Sequence, residues 1–257
     1  MNVIFLAAGL GRRMGAEEKG TPKVLFRLGD GPTILESNLA NLATVADRVS
    51  RVILVTGYRG QMIEEVASAF DDRLEIVLAP NRDYASTGPA RSGVVGLEHA
   101  PTHQGIAIAN GDTLFSAQLL ARALAPENTH AQLVCSRDKE PEADDVRVRL
   151  TANDQVAEAG KRIPEADTHG VSAGFLAAAG AGPERHLRTG LETIARRERD
   201  LGRNLHWHSV VAECHQAGMP IEAQWVSHDE WQEFDGPDDI RRYVRAREQS
   251  PTQGRQS

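Results

Sequence analysis

The chain has 257 residues, of which 40% are hydrophobic and 25% are charged, and its formal net charge is -7 at pH 7. This length is enough for one domain with a sizeable core, and no apolar run approaches the roughly 18 residues that a membrane-spanning helix needs. A negative net charge argues against a general nucleic-acid-binding protein, so we expect neither a nucleic acid nor a membrane as a partner.

The chain opens on MNVIFLAAG, an apolar run that lacks the basic start and the cleavage site of a signal peptide. We expect a buried first strand there. Cys135 and Cys214 are far apart and lack metal-ligand spacing, which indicates neither a disulfide framework nor a zinc site. We therefore expect a cytoplasmic protein.

Short apolar or β-branched runs alternate with helix-length segments through the first half of the chain. This alternation predicts right-handed βαβ crossovers and a mainly parallel, Rossmann-like sheet with ligands at the carboxyl ends of its strands. The predicted strands are 3–8, 51–57, 74–80, 105–112 and 131–137, and the predicted helices are 33–46, 60–70, 89–99 and 116–125.

The pattern changes after residue 137, where short runs alternate with period two. The runs 146–150, 155–162 and 170–178 predict a small antiparallel extension, so that the sheet is mixed and flanked by helices. One α/β domain over 1–247 is then completed by helices at 184–200, 208–217 and 237–247 and a strand at 221–227. Residues 248–257 have no apolar anchor and predict a disordered tail.

The segment LAAGLGRRMG, residues 6–15, follows the first predicted strand and carries glycines and arginines. Gly9 and Gly11 match the start of a dinucleotide fingerprint, but the third glycine of that pattern falls one position late, at Gly15. No lysine follows Gly15 at the step that a P-loop requires. Neither of these two nucleotide-binding motifs is therefore present.

The composition of the same loop favours a triphosphate over a dinucleotide. Ala7 and Ala8 would let a planar base approach the backbone, and the glycine amides can cradle an anion. Arg12 and Arg13 add forked donors for phosphate oxygens, and Lys23 in TPKVL could return to the same phosphates. The alternative is an ordinary glycine turn with two solvated arginines.

LAAGLGRRMG followed by TPKVL resembles the G-x-G-x-R-M/L…P-K signature of nucleotidyltransferases, which join a nucleoside triphosphate to a phosphorylated acceptor. The resemblance extends over the chain except its last residues and implies a GT-A-like nucleotidyltransferase fold. It also implies a set of nucleotide-binding residues: Leu6, Ala7, Ala8, Gly9, Gly11, Arg12, Arg13, Lys23, Asn81, Thr87, Ser92, Asn110 and Gly111.

Two aspartates follow predicted strands and precede predicted helices. Asp112 lies in ANGDTLF and Asp235 lies in WQEFDGPDDI, and the resemblance implies that these two side chains share a Mg²⁺ ion. The alternative for Asp112 is a cap on the helix that begins near Ser116. We expect Asp238 and Asp239 to cap the last helix, because acidic residues are favoured in a first turn.

The chemistry of such a site needs no general base when the acceptor is already an anion. Catalysis then consists of in-line positioning and of charge neutralisation by Mg²⁺, Arg13 and Lys23, with release of pyrophosphate. Lys161 matches the position of a lysine that in the related enzymes contacts the α-phosphate or the acceptor phosphate. Its alternative role is that of a solvated hairpin lysine.

The loop 79–93 is where the related enzymes bind the base, and it offers Asn81, Thr87 and Ser92 here. The overall layout is most similar to bacterial phosphocholine cytidylyltransferases and their phosphonate-using relatives, so CTP and a small phosphate or phosphonate acceptor are favoured. A sugar-1-phosphate enzyme using UTP, dTTP or GTP, a molybdopterin-type guanylyl- or cytidylyltransferase, and a nucleotide-binding regulatory module remain alternatives.

Aromatic side chains are the candidates for contacts with the acceptor, because a choline group would need a cage of aromatic faces. Of the candidates, Tyr84 and Trp207 are assigned to acceptor binding together with Lys161. His208 stands where an acid is expected for choline, and His206 and His208 are expected to be solvent-exposed or capping rather than metal ligands. The aromatic residues in the relevant segments are Tyr84, Phe175, Trp207, Trp225 and Trp231.

Overall fold

The apolar runs of the sequence form strands, and the amphipathic segments form helices, in a computed structural model of the chain. The structure describes residues 1–15, 20–125 and 128–249, and of Arg12 it describes the backbone alone. The strands are β1 Asn2–Leu6, β2 Arg51–Thr56, β3 Ile76–Pro80, β4 Ile106–Asn110, β5 Thr113–Phe115, β6 Ala131–Ser136, β7 Arg147–Leu150, β8 Val156–Gly160, β9 Gly170–Ala178, β10 Ile221–Trp225 and β11 Trp231–Glu233. The helices are α1 Ile34–Ala43, α2 Gly60–Ala67, α3 Pro89–Glu98, α4 Ala117–Ala123, α5 Ala181–Leu201, α6 Val210–Gln216 and α7 Pro237–Gln249.

The main sheet has the strand order β10-β6-β9-β4-β1-β2-β3, with β7 paired to β8 and β9. Parallel pairs join β1 to β2 and β4, β2 to β3, and β6 to β10, whereas β9 is antiparallel to β4, β6 and β7. The prediction of a mixed, mainly parallel sheet with a small antiparallel extension is confirmed.

Alternating side chains of each strand enter two separate cores, one on each face of the sheet. Ile4 of β1 belongs to the same core as Leu187 of α5 and Val210 of α6. Its neighbour Phe5 packs on the other face with Leu39 of α1 and other side chains of that core. Among the described residues, no helix combines the length and the apolar character needed to cross a bilayer.

A two-stranded antiparallel sheet, β5 with β11, was not predicted. The predicted strand 105–112 ends at Asn110, because the chain turns through Gly111 and Asp112 before β5 begins. A β-carbon on Gly111 would lie 2.5 Å from the carbonyl oxygen of Leu6, so only glycine fits where the chain leaves β4 beside β1. This turn puts Asp112 at the carboxyl edge of the main sheet.

The last helix differs from its predicted end. Helix α7 continues to Gln249, so Glu248 and Gln249 are helical rather than part of a tail. Residues 250–257, the rest of the predicted tail, lie outside the described part of the chain.

Candidate active site

A lysine ammonium joins two segments that are far apart in the sequence. Lys23 lies in a short 3₁₀ turn after Pro22, and its Nζ donates to Oδ2 of Asp112 at 2.7 Å and to Oδ1 of Asp235 at 2.9 Å. Burial opposes a charged lysine, but the two carboxylates outweigh it and raise the pKa of Lys23. The lysine is therefore protonated and serves as the counter-ion of both aspartates.

The small sheet brings the acidic segments together. Register pairs Glu233 of β11 with Thr113 of β5, and the backbone N–H of Phe234 donates to the carbonyl of Asp112 at 3.0 Å. Pairing at β5 and β11 therefore holds Asp112 beside the WQEFD segment. Asp112 does not cap α4, since that cap is Ser116, whose hydroxyl accepts from the backbone N–H of Leu119.

Asp235 is fixed at the start of α7. The carboxylate of Asp239 accepts from the backbone N–H groups of Asp235 and Gly236, both at 2.7 Å, as an acidic cap should. Asp238 instead forms an ion pair with Arg241 one turn further along. The capping prediction is therefore confirmed for Asp239, whereas Asp238 pairs with a side chain of the same helix.

Glu233 is a third carboxylate that the sequence analysis missed. Oxygen atoms of Asp112, Glu233 and Asp235 lie within 4.8 Å of one another. Burial and then the charges of the two aspartates raise the pKa of Glu233 to about 8. The signal was available, because Glu233 stands two residues before Asp235 in WQEFD.

This donor set fits a small divalent cation. All the converging groups are carboxylate oxygens, the ligand type that Mg²⁺ prefers, and a cationic ammonium already lies against two of them. Burial raises and Lys23 lowers the pKa of Asp235, with a net lowering, so this carboxylate is ionised. Asp112, Glu233 and Asp235 are thus the described residues that could hold the ion.

Arg13 reaches the same cluster from the glycine loop. Its guanidinium donates to Oδ1 of Asp235 at 2.9 Å and also pairs with Asp144, although about half of the side chain is exposed. The adjacent Met14 is buried against Phe26 and anchors the short 3₁₀ turn that carries Arg13. The predicted role of Arg12 concerns a side chain that lies outside the described atoms.

Two adjoining cavities open over the cluster, with volumes of about 380 Å³ and about 330 Å³. The first follows the glycine loop to Lys23, and the second extends to Lys161, His206 and Glu233. We call the two together the cleft. The predicted site residues that line it are Leu6, Ala7, Ala8, Gly9, Gly11, Arg13, Lys23, Tyr84, Thr87, Ser92, Asn110, Gly111, Asp112, Lys161 and Asp235.

Asn81 is a predicted nucleotide-binding residue that does not line the cleft. It is 2% exposed, and its Nδ2 donates to Oγ of Ser92 at 3.1 Å and to Oγ1 of Thr87 at 3.3 Å. Its Oδ1 accepts from the backbone N–H of Asp83 at 3.1 Å. Asn81 therefore shapes the loop, and Thr87 and Ser92 are the members of the predicted base-binding set that face the cleft.

The buried carboxylate of Glu198, on α5, contacts the loop 79–93 at Gly88. Glu198 accepts from the backbone N–H of Gly88 and from that of Leu205, both at 2.8 Å. A β-carbon on Gly88 would lie 2.5 Å from Oε2 of Glu198, which leaves no room for a side chain. The position of Thr87 at the cleft thus depends on a contact outside the cleft.

The structure corrects the assignment of Trp207 to the acceptor. Its ring is fully buried, and its indole N–H donates to Oδ1 of Asn110 at 2.8 Å. A tryptophan cannot be placed in a core or a cleft by local pattern alone, because either environment suits its large ring. Trp207 therefore lies in the core, where its hydrogen bond positions the side chain of Asn110.

The other aromatic candidates do not form a cage. Phe175 and Trp231 are buried, and the guanidinium of Arg137 lies 4.0 Å from the ring centre of Trp225. Tyr84 is the member of the predicted aromatic set that lines the cleft.

The two histidines of HWHSV differ from the expectation of exposed side chains. His206 caps a short 3₁₀ turn, since its ring accepts from the backbone N–H of His208, so the capping alternative is confirmed for it. His208 is buried, and burial followed by the neighbouring His206 lowers its pKa. Burial and then Lys161 lower the pKa of His206 to about 4, so both rings are neutral near pH 7.

The fold is similar to those of solved nucleotide-transferring enzymes. The inositol-1-phosphate CTP transferase from T. maritima matches with a TM-score of 0.76 and 20% identity over 98% of each chain. The CTP:phosphocholine cytidylyltransferase from Streptococcus pneumoniae matches with a TM-score of 0.70 and 16% identity, covering 95% of this chain and 98% of that one. At these identities the likeness concerns the fold.

Sequence comparison gives the family. The CMP-5'-(3-aminopropyl)phosphonate synthase of Streptomyces rubellomurinus is 34% identical over 128 residues, which make up 49% of this chain and 20% of that relative. The chain thus matches one fifth of the length of this relative. Residues 3–249 match the MobA-like NTP transferase domain, and the chain belongs to this family of nucleotidyltransferases.

Proposed function

We propose that the protein is a Mg²⁺-dependent cytidylyltransferase, which transfers CMP from CTP to a small phosphate or phosphonate acceptor and releases pyrophosphate. One observation carries this proposal. Lys23 and Arg13 form ion pairs within a cluster of three converging carboxyl groups, those of Asp112, Glu233 and Asp235, at the glycine loop. A nucleotide sensor without chemistry has no need of three converging carboxylates.

In this proposal the triphosphate lies along the glycine loop. Backbone amides after Gly9 and the cations of Arg13 and Lys23 would bind its phosphate oxygens, because amide dipoles and charged donors both favour anions. Thr87 and Ser92 line the same cleft and offer hydroxyl groups to the base. These groups would hold the α-phosphorus near the three carboxylates.

The proposed transfer needs no general base, because the acceptor is already an anion. An oxygen of the ionised acceptor attacks the α-phosphorus, the new P–O bond forms, and the bond from the α-phosphorus to the bridging oxygen breaks. The electron pair leaves on pyrophosphate, and no proton must move. The residues therefore need to hold both anions in line and to offset their repulsion.

Mg²⁺ held by Asp112, Glu233 and Asp235 would supply charge neutralisation and orientation of phosphate oxygens. Lys161 lines the cleft beside Glu233 and would bind the acceptor anion, because its ammonium makes no hydrogen bond or ion pair with another residue in the described part of the chain. Tyr84, which also lines the cleft, would contact the rest of the acceptor.

The choice of CTP has support from named similar proteins. The relative from Streptomyces rubellomurinus carries CMP in its name, and both solved structures cited above carry CTP in theirs. The cleft supports the choice of a phosphate or phosphonate acceptor without choline, since Tyr84 alone of the predicted aromatic set lines it in the described residues.

The test is a matrix of ATP, CTP, GTP, UTP and dTTP against small phosphates, phosphonates and sugar phosphates, with pyrophosphate release as the readout. We expect release with CTP and Mg²⁺ and none after chelation by EDTA. An equal response to all five nucleotides would refute the preference for CTP. No release with any pair would refute nucleotidyl transfer to acceptors of these classes.

A further inference from the structure

Two histidines and a serine form a hydrogen-bonded row that runs from the core to the cleft. Oγ of Ser172 lies 3.0 Å from Nε2 of His208, and Nδ1 of His208 lies 2.9 Å from Nδ1 of His206. Ser172 and His208 are buried, whereas His206 lines the cleft beside Lys161 and Glu233. The row therefore connects a buried hydroxyl to a ring that a ligand can reach.

A backbone donor at the His206 end sets the direction of the row. At the other end, the backbone N–H of Gly174 donates to Oγ of Ser172 at 3.1 Å, and the hydroxyl of Ser172 keeps its own proton to donate to Nε2 of His208. The backbone N–H of His208 points at Nδ1 of His206, at 3.5 Å. Nδ1 of His206 is thus an acceptor, and it receives its second hydrogen bond from Nδ1–H of His208.

This arrangement leaves one place for the proton of the His206 ring. Because Nδ1 accepts and the ring is neutral, the proton is on Nε2, the nitrogen turned away from His208. In the described part of the chain, no residue makes a hydrogen bond to this nitrogen. His206 thus offers a fixed, uncharged N–H donor to whatever occupies the cleft.

The surroundings of this donor define what it can bind. The ammonium of Lys161 acts on the His206 ring, so a cation and an uncharged donor lie near each other at this end of the cleft. The carboxylates of Asp112 and Asp235 are engaged by Lys23 in the free protein, and together with Glu233 they would hold Mg²⁺ in the proposed reaction. An ammonium group on the acceptor would meet donors and a like charge here, whereas an oxygen would accept a hydrogen bond.

We propose that His206 is a specificity-determining residue whose Nε2–H donates to an oxygen of the acceptor beyond its attacking phosphate or phosphonate group. Preferred acceptors then carry a hydroxyl or another uncharged oxygen near the anion, rather than an ammonium or trimethylammonium group. This inference rests on the proposed transfer to a small anionic acceptor and names the chemical class of that acceptor.

The first test compares two acceptors that differ in one group, 2-hydroxyethylphosphonate and 2-aminoethylphosphonate, with phosphocholine as a third arm. With CTP and Mg²⁺ we expect kcat/KM to be at least tenfold higher for the hydroxyl compound than for the other two. Equal values, or a preference for the amine or the choline compound, would overturn the inference.

Two variants assign the preference to the ring. His206→Phe keeps a planar ring without a donor, and we expect the ratio of kcat/KM between the hydroxyl and amine acceptors to fall towards one. His206→Gln keeps an N–H donor, and we expect it to retain part of the ratio. An unchanged ratio in His206→Phe would show that another residue makes the choice.

A spectroscopic test separates this inference from the proposed reaction. Long-range ¹H–¹⁵N correlations report the tautomer of each histidine, and we expect His206 to carry its proton on Nε2 near pH 7. A proton on Nδ1 would overturn the inference whatever the turnover. If no pyrophosphate forms, the proposed reaction fails, and binding of the phosphonates then tests the inference without turnover. A shift of the His206 Nε2 signal with the hydroxyl compound alone supports the inference. Any other pattern of shifts overturns it.

Discussion

The ammonium of Lys23 lies 2.7 Å from Oδ2 of Asp112, which is 89 positions further along the chain, and it also donates to Asp235 at 2.9 Å. In the free protein, this lysine supplies the positive charge that the acidic cluster needs. A divalent cation bound by the same carboxylates would compete with it. Lys23 would then be released to the phosphates that enter with the nucleotide.

Replacing Lys23 should therefore change two measurements in opposite directions. For Lys23→Met we expect turnover to fall at least 100-fold, because a charged donor to the triphosphate is lost. We expect Mg²⁺ to bind the free variant several-fold more tightly in calorimetry, because a competing cation is gone. Lys139→Met is the matched control, since Lys139 is paired with a buried carboxylate, Asp145, elsewhere. Weaker Mg²⁺ binding by Lys23→Met would contradict the competition.

The three carboxylates should affect metal binding and turnover together. We expect Asp112→Asn to abolish measurable turnover and Glu233→Gln to weaken Mg²⁺ binding, while circular dichroism shows an intact fold in both. Asp112→Asn removes an anionic oxygen ligand, and Glu233→Gln removes a carboxyl that becomes an anionic ligand when a bound cation displaces its proton. The measurements are pyrophosphate release and calorimetric titration with MgCl₂.

Asp144→Asn is the control for these variants. Asp144 also pairs with Arg13, but it is exposed and lies outside the cluster. We expect it to keep turnover within about threefold of the unmodified protein, in line with the small energies of exposed ion pairs. A wild-type rate in Asp112→Asn would remove Asp112 from the site.

The alternation of strand and helix was sufficient to predict the main sheet, because period and composition are local properties. The two-stranded sheet of β5 and β11 was missed because each strand has three residues and is defined by a partner more than 100 positions away. Short strands carry too little pattern to be recognised alone. Without that pairing, Glu233 could not be placed beside Asp112.

In the candidate site, too, local motifs predicted some residues, and contacts between distant segments determined the others. Asp112 was predicted from its place after a parallel strand, since the carboxyl ends of such strands meet at one edge. Lys23 was predicted from TPKVL after the glycine loop, and Asp235 from the resemblance to nucleotidyltransferases. Burial decided the errors: Trp207 and Asn81 have the right chemistry for a ligand but face inwards. The row from Ser172 to His206 depends on contacts over 36 positions, which no local pattern contains.

Glu198 lies outside the cleft but contacts the loop 79–93, so replacing it should lower the stability of the protein. Glu198→Ala leaves the buried N–H of Gly88 and the N–H of Leu205 without an acceptor, which we expect to cost about 2–4 kcal/mol in the free energy of unfolding. We also expect a higher KM for the nucleotide, because Thr87 precedes Gly88 at the cleft. Urea unfolding and steady-state kinetics measure the two effects.

Two further variants control for this effect. Glu198→Gln keeps an acceptor oxygen and should lose less stability than Glu198→Ala. Glu192→Ala removes an exposed carboxylate from the same helix and should stay within about 0.5 kcal/mol of the unmodified protein. Equal losses in Glu192→Ala and Glu198→Ala would show that the hydrogen bonds to the loop are not the cause.

The neutral histidines predict how stability depends on pH. Burial and then Lys161 lower the pKa of His206 from 6.5 to about 4 in the folded protein, so the unfolded chain binds the proton more readily. This contribution to stability is complete above about pH 6.5 and is lost as the pH falls towards 4. At pH 5.5 the loss from this one group is about 1.4 kcal/mol, and His208, whose pKa is also lowered, adds to it.

Urea unfolding measures the free energy of unfolding at pH 7.5 and at pH 5.5. We expect the difference between the two pH values to shrink by about 1 kcal/mol in His206→Gln. In His130→Gln, which alters an exposed histidine, the difference should be unchanged. An unaltered pH difference in His206→Gln would mean that the ring is not held neutral by its surroundings.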